Sequence, residues 1–246
     1  MFSPNGIRAI LFDLDGTLRH NCPSSIQAFF DYAAALGLED SPASRQQAAR
    51  WVHRYWSQSE EMLEDLEAYR GRNEEFWAFY THKQLMACGC PPERAAELAP
   101  EVHRYMKDEY RPEDWVPPEV PQTLGVLRQA GFTLGVLSNR TDPCGPYLCD
   151  LGLDGYFDLA LVAGELSYWK PNPQVFHLTL ERLNLQPEQV VYVGDNYYAD
   201  VLGAQAAGLR PVLIDPEGLF PEATCPVIHT MSGLPRALAR AATPKP

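Results

Sequence analysis

The chain changes its hydrophobic rhythm twice, and that change limits its fold more than any other feature. Ile7-Arg-Ala-Ile-Leu-Phe12 is a short apolar run that stops at Asp13, the signature of a buried strand. From Ser24 to Glu109 the spacing is helical, with four amphipathic segments at 24–36, 45–69, 74–87 and 92–109. Ser24-Ser25, Ser44, Asn73 and Pro91-Pro92 supply start signals, and Gly37, Gly71 and Gly89 supply stops. Arg111-Pro-Glu-Asp-Trp-Val-Pro-Pro118 then reads as a proline-rich boundary.

Beyond that boundary, helix and apolar run alternate. Helices are expected at 120–130, 146–151, 173–183, 199–207 and 234–241, and strands at 132–137, 159–163, 189–193, 211–214 and 227–229. Continuous apolar strands separated by helices predict an α/β fold, a doubly wound and mostly parallel sheet covered on both faces. The first strand precedes the helical block and the others follow it. The block is therefore read as an insertion: residues 1–19 and 116–246 form the sheet domain and 20–115 the inserted helical domain. The tail Thr243-Pro-Lys-Pro246 is expected to be loose.

Charge narrows the partners. Lys and Arg number 20 against 32 Asp and Glu, a formal charge of −12, which disfavours nucleic acid and anionic lipid. No run of 18 apolar residues is present, so no membrane-spanning helix is expected. The N-terminus lacks the basic and apolar regions of a secretory signal. Cys22, Cys88, Cys90, Cys144, Cys149 and Cys225 show no CxxC spacing and read as reduced thiols of a cytoplasmic protein.

In an open α/β sheet, ligands collect at the carboxyl ends of the strands. The residues that follow the strands are Asp13-Leu-Asp15-Gly-Thr17-Leu, Ser138-Asn139-Arg140, and Gly194-Asp195 with Asp200 five residues on, while Lys170-Pro-Asn-Pro stands at the start of a helix. Crowded carboxylates repel one another and call for a divalent cation, for which oxygen ligands favour Mg²⁺. A carboxylate can attack phosphorus, a second one two residues away can serve as acid and base, and hydroxyls and a lysine can hold phosphoryl oxygens. The set points to phosphoryl transfer.

These four segments, in this order, resemble the four motifs of the haloacid dehalogenase-like hydrolases, and the resemblance covers nearly the whole chain. It implies a Rossmann-like core with an inserted α-helical cap. It also implies a Mg²⁺-dependent phosphatase acting on a small phosphorylated metabolite. By that resemblance Asp13 is the nucleophile that becomes the aspartyl-phosphate, and Asp15 is the general acid and base. Mg²⁺ is held by Asp13, the Asp15 carbonyl and Asp195. Thr17, Ser138, Asn139 and Lys170 bind phosphate, and Asp200 positions Lys170 or a metal-bound water. Family members that cleave carbon–halogen bonds do not keep an acid two residues after the nucleophile, so Asp15 points to a phosphate ester. A mutase resembling β-phosphoglucomutase keeps the same motifs, whereas an idle binding protein would have lost one. Arg19-His20 and His53-Arg54 are candidates for substrate contact, while the aromatic residues of the block read as core. A monomer or a homodimer is expected.

Overall fold

The computed structural model describes residues 6–240. In chain order β1 (Ala9–Phe12) and β2 (His20–Cys22) are followed by five helices. These are α1 (Ser25–Ala35), α2 (Pro42–Tyr55), α3 (Glu60–Ala68), α4 (Asn73–Ala87) and α5 (Pro92–Asp108). Next come β3 (Glu113–Trp115), α6 (Glu119–Gln129), β4 (Thr133–Ser138), α7 (Gly145–Asp150), β5 (Leu159–Val162), α8 (Ala163–Leu166) and α9 (Pro173–Leu183). The chain continues through β6 (Val190–Gly194), a π-helical turn over Tyr197–Leu202, α10 (Gly203–Ala206), β7 (Arg210–Ile214), β8 (Val227–Ile228) and α11 (Leu234–Arg240). Contacts divide it into two compact units, Met1–His20 with Asp114–Pro246, and Asn21–Glu113. Residue 241 of the last expected helix and the tail at 243–246 lie outside the described residues.

The sheet unit carries six strands in the order β5-β4-β1-β6-β7-β8, and every pairing is parallel. The chain runs outward from β1 to β4 and β5, then returns to the other side of β1 for β6, β7 and β8. Phe12 is in register with Val136 on one side and Val193 on the other, so three strand ends lie side by side. Strand periodicity explains the apolar runs. Ile10 and Phe12 face one layer, with α6 residues Val120 and Leu124 and α11 residues Leu234 and Leu238. Ala9 and Leu11 face the opposite layer, with Val175, Phe176 and Leu180 of α9. A strand covered on both faces must be apolar throughout.

In the helical unit, Phe29, Phe30, Leu85, Leu98 and Val102 form one core, and Tyr55, Met62 and Tyr80 form a second. The helix expected over 45–69 is two helices. Ser59 interrupts it: its hydroxyl donates to the Tyr55 carbonyl (3.0 Å) and accepts from the Met62 N–H (3.1 Å), ending one helix and capping the next. Ser41, rather than Ser44, caps α2, and Ser44 reciprocates by accepting from the Ser41 N–H at 3.0 Å. Asn73 is the first residue of α4, after Arg72, rather than its cap. The expected helix 199–207 starts at Tyr197 as a π-helical turn, because the Asn196 side chain caps Tyr198 and Ala199. The short strands β2 and β3, which pair with each other, and the one-turn α8 carry no clear periodicity.

Candidate active site

Asp13 follows β1 directly, and its N–H extends the ladder to the Val193 carbonyl at 2.8 Å. Its side chain is buried, and Oδ1 accepts a 2.7 Å hydrogen bond from Lys170 Nζ. Burial, reinforced by the negative charge of Asp200 and opposed by Lys170, pushes Asp13 up to about 7.

Lys170 is only 2% exposed, so each ammonium proton needs an acceptor. All three have one: Asp13 Oδ1 at 2.7 Å, Asp200 Oδ1 at 2.7 Å and the Tyr192 hydroxyl at 2.8 Å. Burial disfavours the ammonium, but Asp13 and Asp200 outweigh it and hold Lys170 well above the usual lysine range. The Tyr192 hydroxyl in turn donates to the Leu137 carbonyl at 2.7 Å, which fixes the network to β4 next to Ser138. The Asn139 amide, expected at the phosphate, is used at both ends on the backbone of Lys170: it accepts from the Lys170 N–H (2.7 Å) and donates to its carbonyl (2.9 Å). Asn139 therefore sets where Lys170 starts.

The Asp195 carboxylate accepts from Thr17 Oγ1 at 3.0 Å. Burial, and then repulsion from Asp13 and Asp200, raises it well above the usual carboxylate range. Asp200 is nearly sealed, with one oxygen on Lys170 and the other on the Asn196 N–H at 2.9 Å. Two glycines make room for these acids. A Cβ on Gly16 would sit 2.4 Å from Asp195 Oδ2, and one on Gly194 would sit 2.3 Å from Asp200 Cγ.

The three acids fit a divalent cation on charge and on free valence. Asp13, Asp195 and Asp200 present oxygens within 4.8 Å of one another, and Lys170 is the cation bonded within the cluster. Ionised together they leave a balance of −2, which raised proton affinities also express. Asp13 Oδ2 and Asp195 Oδ2 make no hydrogen bond among the described residues, whereas both Asp200 oxygens are used. Asp13 and Asp195 are thus the side chains with oxygens to offer.

Asp15 lives in different surroundings. Arg140 grips it bidentately, Nε to Oδ2 at 2.7 Å and Nη2 to Oδ1 at 2.8 Å, and Arg19 adds a contact of 2.6 Å. Burial alone raises its pKa, but the two guanidiniums prevail and hold it below the ordinary carboxylate value. Arg140 lies over the Tyr147 ring at 4.0 Å. Tyr147 donates to Asp114 at 2.6 Å, and Asp114 pairs with Arg19 at 3.2 Å.

Ser138 closes β4 at 2% exposure, and its hydroxyl makes no hydrogen bond among the described residues. Asp13, Asn139 and Asp200 are thus bonded to Lys170, Thr17 is bonded to Asp195, whose carboxylate lies within 4.8 Å of those of Asp13 and Asp200, and Asp15 is held separately by Arg140 and Arg19, with Ser138 at the adjoining strand end. Arg54, from the other expected contact pair, bonds Glu61 inside the helical unit at 3.2 Å. His20 lies beside Trp115 with ring centroids 5.8 Å apart and the planes tilted by 44°. Sequence reasoning missed Tyr192 and the clamp by Arg19 and Arg140. Tyr192 did leave a signal, since a hydroxyl inside a buried apolar strand must find a partner.

A profile of haloacid dehalogenase-like hydrolases matches residues 7–208, and the chain belongs to that family. Phosphoserine phosphatase of Thermus thermophilus is 31% identical over 88% of this chain and 91% of its own length. Phosphoglycolate phosphatase of Salmonella choleraesuis is 30% identical over 84% and 80%. Among solved structures, a 2-haloacid dehalogenase from Pseudomonas syringae is 30% identical, covers 95% of this chain and 99% of its own, and superposes with a TM-score of 0.55.

Proposed function

We propose that the protein is a Mg²⁺-dependent phosphatase of a small phosphate monoester, acting through an aspartyl-phosphate on Asp13. The observation that carries this reading is the contrast between Asp13 and Asp15. Two carboxylates two residues apart have different partners: Asp13 is bonded to Lys170 within the acid cluster, and Asp15 is held by Arg140 and Arg19. A cluster that a cation and Lys170 would neutralise suits the nucleophile, and the carboxylate outside it is left to move protons. Asp13, Asp195 and the Asp15 carbonyl would hold the cation, which supplies charge neutralisation for the transferring phosphoryl group.

Asp13 attacks phosphorus, and the bond to the ester oxygen breaks as the aspartyl-phosphate forms. Lys170 holds Asp13 through Oδ1 and so fixes the carboxylate for attack, and its ammonium offsets the charge that builds on the phosphoryl oxygens. Ser138 and Thr17 offer hydroxyls to those oxygens. Asp15, ionised while paired, must be released by a guanidinium and take a proton from solvent, and it then delivers that proton to the leaving oxygen. A water molecule then attacks phosphorus, Asp15 takes its proton, phosphate departs and Asp13 is restored. In this reading residues 20–115 are the cap.

The similarity to a dehalogenase does not redirect the reading, because Asp15 is present and built into the site. Phosphate release from a panel headed by phosphoserine and phosphoglycolate, with Mg²⁺ and with a chelator, tests it against halide release from 2-chloropropionate. Metal-dependent phosphate release is expected. Metal-independent halide release, or no phosphate from any ester, overturns it.

A further inference from the structure

The helical unit holds a cavity of about 630 Å³, the size that accommodates a small organic molecule. Every residue lining it belongs to the unit Asn21–Glu113. Its walls are aromatic, built from Phe29, Trp56, Trp77 and Tyr80. Trp77, Tyr80 and Gln84 recur on one face of α4 because they stand three or four residues apart.

The polar groups on the wall are mostly satisfied by one another. Trp56 Nε1–H donates to the Tyr80 hydroxyl at 2.9 Å, and Thr81 donates to the Trp77 carbonyl at 2.9 Å. Glu74 takes Lys107 at 2.8 Å, with His103 at 3.6 Å. Gln84 is the exception. It is 5% exposed, lines the cavity, and its side-chain amide makes no hydrogen bond among the described residues. The amide is unpaired but not sealed from the cavity, so its donor and acceptor are free to bond a molecule held there.

We propose that this cavity binds an uncharged, flat heteroaromatic molecule of the nucleobase class, its ring faces against the aromatic walls and its edge on Gln84. Three features select that chemistry. Tryptophan and tyrosine faces favour planar π systems over aliphatic chains. A glutamine amide presents one donor beside one acceptor, the pattern that pairs with the edge of a nucleobase. The one lysine of the wall is held by Glu74, which disfavours an anionic ligand.

The test titrates the full-length protein with adenine and with uracil, following tryptophan emission and heat of binding. Indole, which lacks the adjacent donor and acceptor, is the control. These compounds carry no phosphoryl group and no turnover is read, so the outcome is independent of the proposed phosphatase activity. Saturable binding of a base is expected, weakened about tenfold or more in Gln84→Leu, with indole unaffected by that change. Gln84→Leu should melt no lower than the parent. Should it fail to fold, Trp77→Ala, at a side chain 46% exposed, must weaken base binding by itself. The proposal is overturned if neither base saturates at millimolar concentration, or if these variants bind as the parent does.

Discussion

Replacing Gly16 by alanine separates the demands of the fold from those of the site. Two effects act together. At φ +85° an alanine costs about 1–2 kcal/mol relative to glycine. The new Cβ would also lie 2.4 Å from Asp195 Oδ2, where ordinary contact begins at 3.4 Å, so something must move by about 1 Å. The opposing atom is the end of a side chain rather than backbone, so the carboxylate yields and the strand does not. Asp195 is then turned from the geometry that Thr17 fixes. A misplacement of about 1 Å in a reacting constellation costs on the order of 100-fold in rate. Gly16→Ala should therefore melt only a few degrees lower, lose about two orders of magnitude in turnover, and need more Mg²⁺ for half-saturation. Phosphate release at graded Mg²⁺, alongside thermal melts with and without the metal, measures all three. Parental turnover with parental metal response would refute the reasoning, and a variant that no longer folds would show that the glycine serves the strand end instead.

Asp13→Asn should abolish phosphate release while the circular dichroism stays unchanged; substantial residual turnover would remove the nucleophile role. Tyr192→Phe keeps the ring packed on Phe176, at 5.1 Å between centroids, but takes an acceptor from a buried ammonium. It should cost about 1–3 kcal/mol of stability and lower kcat more than KM, and a variant indistinguishable from the parent in both would detach Tyr192 from the site. Metal-free protein should lose stability as pH rises. The Asp13 pKa of about 7 in the fold exceeds its ordinary 3.8, so between about pH 4 and pH 7 the folded state holds more protons than the unfolded one. A gap of roughly three units corresponds to about 4 kcal/mol. Melting curves of the metal-free parent should fall across that window, those of Asp13→Asn should fall less, and Mg²⁺ should restore more stability at pH 8 than at pH 5. A parent that gains stability over the same range without metal would contradict the assignment.

The strands of the sheet were legible because a parallel strand buried on both faces has to be apolar without interruption, as Val190–Val193 shows. The site was legible for a related reason: its acids stand directly after those runs, at Asp13 and Asp195. The break between α2 and α3 was hidden because apolar spacing continues across Trp56–Ser59, and only hydroxyl bonding to the backbone marks the end. Strands of three residues, such as β2 and β3, are too short to show a period of two. The clamp on Asp15 joins residues 125 positions apart, and nothing local in either segment announces it. Asn139 was visible as a polar residue after a strand, but its two bonds to the Lys170 backbone depend on where the next loop passes.

The ribbon of β2 and β3 bears on how the helical unit is attached. It brings together the two points at which the chain leaves and re-enters the sheet unit, and none of the six main strands lies between them. Joining neighbouring ends with a short turn closes only a small loop, which costs the host little conformational entropy. The helical unit can thus be lengthened, shortened or replaced by a short turn at small cost to the sheet unit, leaving in place the register that aligns Phe12 with Val136 and Val193.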